Sequence, residues 1–267
     1  MSDIEDNDRY RAPALDKGLD ILELLASIDG GLTQAEIAKS LGRTPNEFYR
    51  MLDRLVRRGY VARTADDRYE LTLRLFALAH QHAPLRRLVS QAMPILRSLS
   101  ASTLQACHLA VFDRGHVIII AQIDSPGYWG LSIRVGARVG LFNTGSGHVL
   151  LAFRSAEERA LMVAEYERVV DDTEEPDNIA QRLAQVRARG FEAMPSRQTA
   201  GVHNLSAPVL GPDGNAIAAL TVPYLAPLNQ PFAPDMPETI RLVMEAARQL
   251  SEMVGGRESI APQLQHV

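Results

Sequence analysis

The sequence is poor in several features, and each shortage removes a class of explanation. Its single cysteine, Cys107, sits in the apolar run CHLAVF, so neither an intrachain disulfide nor a cysteine-based zinc site can form. A reducing compartment fits. No uninterrupted apolar stretch reaches the ~18 residues of a membrane span, and the acidic opening MSDIEDNDRY lacks the basic-then-apolar order of an export signal. A cytoplasmic protein without a membrane partner is expected. Catalytic groupings are also missing. His80 and His82 are two apart on a helical pattern and face different sides, while Cys107 and His108 point to opposite sides of a strand. His148 and His203 could meet in space, but no nucleophile motif accompanies them. The reading is therefore no enzyme, no metal and no cofactor.

What is present is ordinary in bulk and uneven in distribution. At 267 residues the chain exceeds a typical domain, which runs to ~100–150 residues, so two domains or one large one are the starting options. A hydrophobic content of 46% with 22% charged residues suits a globular fold and argues against overall disorder. The net charge of −4 would count against a nucleic-acid partner if it were evenly spread. It is not: Arg43, Arg50, Arg54, Arg57, Arg58 and Arg63 lie close together against only Glu47 and Asp53. A solvated helix face gives a similar run, so this island takes its meaning from the helix signals around it.

Leu15, Leu19, Leu22 and Leu25 recur at helical spacing, widened by Ile21 and Ile28, and predict a helix over 14–28 ended by Asp29-Gly30-Gly31. Thr33-Gln34-Ala35-Glu36 is a capping box that starts a second helix, which stops at Gly42. Thr44-Pro45-Asn46-Glu47 repeats the device at once. In this third helix Phe48, Met51, Leu52, Leu55 and Val56 form the packed stripe, and Asn46, Tyr49, Arg50, Asp53, Arg54 and Arg57 face outward. Two short helices joined by a tight glycine turn, the second presenting amide, phenol and guanidinium groups, are what reading a DNA major groove requires. Tyr60–Arg63 and Arg68–Leu71 flank an Ala65-Asp66-Asp67 turn and predict the hairpin wing. Arg43 and the recognition-helix residues Asn46, Tyr49, Arg50 and Arg54 are the candidate DNA contacts. Thr33, Gln34 and Thr44 position the backbone, and Arg68 reaches from the wing to a phosphate or the minor groove. The alternative is a helical subdomain used for protein contacts.

Leu73, Leu75, Phe76, Leu78 and Ala79 continue at helical spacing to Ala83, where Pro84 interrupts, and a further helical pattern runs through Leu99. Then the pattern changes. Residues 107–113, 117–124 and 131–136 (CHLAVFD, VIIIAQID, LSIRVG) read as strands, helices return at 145–168 and 177–189, and strands follow at 191–194, 203–210 and 216–222. The last two are joined by Gly211-Pro212-Asp213-Gly214, and a final amphipathic helix spans 236–254. This order predicts an α+β domain with an antiparallel sheet.

The patterns TQAEIAKSLG, FYRMLDRLVRRGYV and YELTLRLFALA resemble the isocitrate-lyase-regulator (IclR) family of transcription regulators. So does the stretch from Gly136 through Thr144, Gly147 and Leu151-Ala152, and the block from Gly201 through Ala207-Pro208-Val209 to Asp213-Gly214. The resemblance implies a winged helix-turn-helix over 14–71, a linker helix over 72–84 and a GAF-like effector-binding domain over 85–254, between flexible ends at 1–13 and 255–267. It implies dimers, or dimers of dimers, on palindromic double-stranded operators. Where many members have Pro-Lys-Ser-Thr at the start of the recognition helix, this chain has Thr44-Pro45-Asn46-Glu47, so no operator sequence carries over.

Family members that bind small oxo-acids present an aspartate, a cysteine and two serines, and the matching positions here are Met194, Asn204, Thr221 and Pro223. The Gly-Ala pair whose amides hold the carboxylate matches Gly145-Ser146. The loss of a charge and of hydroxyl donors implies a larger, less polar effector: an aromatic or mid-sized organic acid, with Trp129 and Phe142 as apolar walls. Read from chemistry alone, Thr144-Gly145-Ser146-Gly147 is either an anion-attracting helix start or a tight turn. Trp129 is either a pocket aromatic or a surface or dimer contact. The rival reading of the whole is a DNA-binding dimer whose C-terminal domain only oligomerises.

Overall fold

A computed structural model describes residues 12–81, 83–127, 130–170, 177–226 and 232–256. The chain divides into two compact units between Arg86 and Arg87. In the first, helices α1 (Pro13–Ala26), α2 (Gln34–Ser40) and α3 (Pro45–Arg57) accompany strands β1 (Leu32–Thr33), β2 (Val61–Arg63) and β3 (Arg68–Leu71), and α4 (Arg74–Gln81) follows. The strands form an antiparallel sheet in the order β1-β3-β2. The apolar spacing of each helix feeds one core, in which Ile21, Leu25, Ile37, Ala38, Phe48 and Leu52 close on Val61 and Tyr69. Truncating fully buried Phe48 to alanine would cost about 3–5 kcal/mol.

Two details of this unit depart from the sequence reading. The short strand β1 was not expected, because two residues carry no alternation; Leu32 and Thr33 pair with Tyr69 and Arg68 of β3. Gly31 makes that approach possible. It has φ +64°, and a Cβ there would lie 2.7 Å from the Tyr69 carbonyl oxygen. The leucine stripe of α1 also splits, for Leu25 joins Ile21 in the core whereas Leu15 and Leu19 are exposed.

The second unit contains most of α5 (Ala83–Thr103), then β4 (Cys107–Asp113), β5 (His116–Ile123), β6 (Arg138–Val139), α6 (Gly145–Ala152), α7 (Ala156–Glu167), α8 (Ile179–Arg189), β7 (Glu192–Pro195), β8 (Val202–Leu210), β9 (Ala216–Leu225) and α9 (Met236–Met253). Its six strands form one antiparallel sheet in the order β6-β5-β4-β9-β8-β7. Alternation along the strands sends Cys107, Leu109, Leu205, Ala207, Leu220 and Val222 to a core with Leu96 and Leu99 of α5 and Val243 and Leu250 of α9. Ala110, Ile119 and Ala219 join a second core with α6, α7 and α8. Every residue of α6 is buried, which its lack of a polar side requires.

Three expectations need correction here. LSIRVG is not a strand. Its alternation runs into a turn at Gly136, φ +87°, and pairing resumes only at Arg138–Val139, opposite Ile118 and Val117. The helical pattern over 145–168 is two helices, because Ser155 accepts from the Glu158 backbone N–H and caps a fresh start. Pro84 does not mark a stop so much as a beginning: it falls in the first turn of α5, where its missing N–H costs nothing. The expected flexible ends at 1–13 and 255–267 fall almost wholly outside the described residues.

Candidate functional site

In the first unit, the turn between α2 and α3 is built as the sequence indicates. Glu36 accepts the Thr33 backbone N–H at 2.8 Å, and Glu47 accepts the Thr44 N–H at 3.3 Å. Gly42, φ +64°, makes the turn, and Gln34 ties the two helices by donating from Nε2 to the Pro45 carbonyl at 2.9 Å. Lys17 of α1 reaches Glu47 at 3.1 Å and, with Thr44, holds its carboxyl down at about 2. The start of α3 is thus fixed from both sides.

On the outer side of α3, Asn46, Tyr49, Arg50 and Arg54 are all exposed. Arg57 is committed to Asp53 at 2.8 Å and Arg43 lies 3.5 Å from Glu47, while Arg50 and Arg54 have no ion pair among the described residues. These two guanidiniums can turn to phosphate or guanine, each in bidentate fashion. Arg68, on β3 of the expected wing, also makes contacts within the unit. Its guanidinium donates to the Gly30 and Gly31 carbonyls at 3.2 and 3.0 Å and meets Glu36 at 3.2 Å, anchoring β3 to the chain entering α2.

In the second unit, α6 begins over the sheet. A Cβ on Gly145 would lie 2.5 Å from Ser206 Oγ, and one on Gly147 would lie 2.1 Å from the Leu141 carbonyl oxygen, so both glycines are required for this approach. Thr144 caps the helix by accepting from the Gly147 N–H at 3.0 Å. The amides of Gly145 and Ser146, at the positive end of the helix, have no acceptor among the described residues. Beneath them Ser146 Oγ lies 2.9 Å from Thr221 Oγ1, which lies 2.7 Å from Ser206 Oγ. Met194, Asn204 and Pro223 stand in register on the adjoining row of the same sheet face.

Beside this face, Glu192, 1% exposed, accepts from His148 Nδ1 at 2.7 Å and from Arg182 Nε and a terminal nitrogen, both at 2.8 Å. His148 Nε2 donates to the Phe142 carbonyl at 2.9 Å. Burial pushes the Glu192 carboxyl up, but the hydrogen bonds from His148 and Arg182 win and hold it below its ordinary value. A cleft of about 260 Å³ opens here, lined by Phe142, His148, Ile179, Arg182, Met194 and Arg197 among others.

The profile of the IclR helix-turn-helix domain matches residues 14–65, and that of the bacterial transcriptional regulator IclR C-terminal domain matches residues 80–252. The chain belongs to the IclR family of transcription regulators. It is 32% identical over 243 residues to the HTH-type transcriptional regulator BhcR of Paracoccus denitrificans, covering 89% of this chain and 86% of that one. It is 29% identical over 224 residues to KdgR of Escherichia coli, covering 82% and 84%. An IclR homolog from Microbacterium hydrocarbonoxydans, solved in complex with 4-hydroxybenzoate, superposes with a TM-score of 0.72 at 23% identity over 90% of this chain and 98% of that one. At that identity the likeness carries the fold alone.

The IclR fold sorts the expected effector residues into two groups. Phe142 and Met194 line the cleft, whereas Gly145, Ser146, Asn204, Thr221 and Pro223 gather at the start of α6 and on the sheet beneath it. Trp129, His82 and the side chain of His80 lie outside the described residues. His148 does not pair with His203, since both its ring nitrogens are occupied by Glu192 and Phe142. Glu192, Arg182, Ser206 and His108 were missed. Period-two alternation along β4 and β8 would have placed His108 with the α6 face and Ser206 beside Asn204. No local signal joins His148 to a glutamate 44 residues away.

Proposed function

We propose that this IclR-family regulator binds operator DNA through α3 and that an organic acid, aromatic or mid-sized, bound on the α6 face of the second unit alters that binding. The observation that carries the reading is the start of α6: open amides at the positive end of a buried helix, set against the Ser146–Thr221–Ser206 hydroxyls. Such amides suit a carboxylate. The absence of an acidic side chain at Met194, Asn204, Thr221 and Pro223 leaves room for an apolar body. The 4-hydroxybenzoate complex of the Microbacterium homolog supports an acid of that size.

Exposed Asn46, Tyr49, Arg50 and Arg54 supply the DNA surface, with Gln34, Thr33 and Thr44 setting its pose. One such helix spans only part of a helical turn of DNA, so the working unit is a dimer, or a dimer of dimers, on a palindromic site. Exposed Leu15 and Leu19 on α1 and Leu73 before α4 offer apolar surface for self-association.

Genome-wide mapping of the protein's binding sites supplies the operator, and anisotropy titrations on it test both halves. Arg50→Ala is expected to weaken operator binding by about 1–3 kcal/mol. An unchanged affinity with the fold intact removes α3 as the reader. A panel of aromatic and aliphatic acids is expected to shift operator affinity and melting temperature together. A panel without effect on either removes the effector reading and leaves the second unit an oligomerisation module.

A further inference from the structure

The sheet face beneath α6 carries one polar row across five strands. Register aligns Glu192 of β7 with Ser206 of β8, Ser206 with Thr221 of β9, Thr221 with His108 of β4, and His108 with Gln122 of β5. Directly opposed residues point to one side of a sheet, so these side chains form a line. At one end the line is satisfied: Glu192 is held by His148 and Arg182, and the Ser206 and Thr221 hydroxyls bond each other and Ser146.

At the other end it is not. His108 is only 7% exposed, and both its Nδ1 and the Oε1 of Gln122 are buried without a hydrogen-bond partner among the described residues. The Gln122 amide nitrogen is already used on the Ile123 carbonyl at 3.1 Å. Folded proteins seldom leave two such atoms unpaired on directly opposed residues. Neighbouring Cys107 points the other way, into the α5–α9 core, so nothing on β4 itself can serve them.

We propose that His108 and Gln122 receive an uncharged hydroxyl group of the effector, which accepts from His108 Nδ1–H and donates to Gln122 Oε1. This rests on the reading of the α6 face as the effector site and adds the second functional group of the ligand. A hydroxyl both donates and accepts; a carboxylate cannot donate to Gln122, and an ammonium cannot accept from His108. Burial holds the imidazole down at about 4, so the ring is neutral near pH 7 and offers no charge to a second acid group. Spacing sets the length. Ser146 stands on Thr221, one strand from His108 and two from Gln122, and strands lie about 4.8 Å apart, so acid and hydroxyl are separated by roughly 5–10 Å. A ring bearing the two groups on opposite sides spans that distance. The ligand class is therefore a hydroxy acid, and a hydroxyaryl acid suits it well.

Calorimetry on the full chain with matched pairs tests this: benzoate and 4-hydroxybenzoate, phenylacetate and 4-hydroxyphenylacetate, hexanoate and 6-hydroxyhexanoate. The hydroxylated member of at least one pair is expected to bind about tenfold tighter or more, and His108→Leu to shrink that ratio to about twofold while leaving the plain acid unchanged. Gln122→Met should act in the same direction, which guards against a folding defect in either variant. In the wild-type chain, the hydroxylated acid alone should shift the His108 imidazole resonances in ¹⁵N NMR. Acids that bind equally with and without the hydroxyl, or a ratio that survives both variants, overturn the assignment of His108 and Gln122 and leave the acid site standing. Failure of every acid to bind overturns the effector site and this inference with it.

Discussion

Glu192 offers the sharpest test of how the α6 face is held in place. The carboxylate is 1% exposed and accepts from His148 at 2.7 Å and twice from Arg182 at 2.8 Å. Glu192→Leu keeps the volume and removes every acceptor. His148 then keeps only its bond to the Phe142 carbonyl, with Nδ1 buried and unpaired, while Arg182, 34% exposed, can turn part of its charge to water. Breaking a fully buried pair costs about 3–5 kcal/mol, and the partial exposure of Arg182 discounts that to about 3 kcal/mol. Glu192→Gln behaves differently. Its amide stays within hydrogen-bonding reach of His148 Nδ1 and its oxygen can still accept from one Arg182 nitrogen, so one Arg182 bond is lost and the cost is about 1–2 kcal/mol. Urea unfolding of the second unit, followed by calorimetry and by the fluorescence of the sole tryptophan, Trp129, measures both.

The same pair has a signature in pH. The folded value of Glu192 lies below its ordinary 4.5, so the stability it contributes is complete above pH ~4.5 and is lost as pH falls through the folded value. That acid-side loss should shrink in Glu192→Gln. A Glu192→Leu variant within about 1 kcal/mol of wild type, or a Gln variant as damaged as Leu, would refute the reasoning, because the network would then not be what fixes His148.

The other expectations follow from single contacts. Arg68→Ala should lower the melting temperature of the first unit, since Arg68 holds the Gly30 and Gly31 carbonyls; if it instead makes the salt dependence of DNA binding shallower by about one phosphate equivalent with no loss of stability, the anchoring role is wrong. Gly147→Ala puts a Cβ 2.1 Å from the Leu141 carbonyl oxygen and should cost about 1–3 kcal/mol along with any ligand response, whereas a silent substitution would mean that α6 can lift from the sheet. His108 should make the second unit acid-sensitive. As pH falls below about 6.5 the unfolded chain takes a proton that the folded chain refuses until about 4, so stability drops by about 3 kcal/mol across that window, and His108→Leu should abolish the drop.

Local physics made most of the fold legible. Capping boxes at Thr33 and Thr44 fixed two helix starts, and β4 begins and ends where the run CHLAVFD does, because each signal lies within a few neighbouring residues. Errors arose where local and tertiary terms disagree. Leu131, Ile133 and Val135 alternate like a strand, yet the turn at Gly136 leaves them without ladder partners. β1 exists only because β3 is there to pair with it. Nothing local reveals that Arg68, expected as a wing cation, also bonds two carbonyls 37 and 38 residues earlier. Of the effector residues carried over by family resemblance, Gly145, Ser146, Asn204, Thr221 and Pro223 lie at the start of α6 and on the sheet beneath it while Phe142 and Met194 line the cleft; the ion-paired group beside them, Arg182–Glu192–His148, is assembled from α8, β7 and α6 and has no signature in any one of them.

The alternation in the sheet explains why the site itself was hard to read. In β8, Asn204 and Ser206 alternate with Leu205 and Ala207, and in β4 His108 stands between Cys107 and Leu109. For an antiparallel sheet with one wet side, that pattern means core on one face and water on the other. Here the polar face is covered by α6, and Ser206, Thr221 and His108 are all buried. A helix that is buried on every side and begins with two required glycines cannot be amphipathic, so it contributes no polar partners beyond Ser146 and His148. Both are spent on Thr221, Glu192 and Phe142. Among the described residues, the atoms left unpaired include His108 Nδ1 and Gln122 Oε1 at one end of the row, Arg154 Nε beyond the end of α6, and the open amides at its start. A sequence tolerates such uncompensated polar groups where function requires them. The donor-rich helix start and the unpaired donor–acceptor pair are the two observations on which the proposed hydroxy-acid ligand rests.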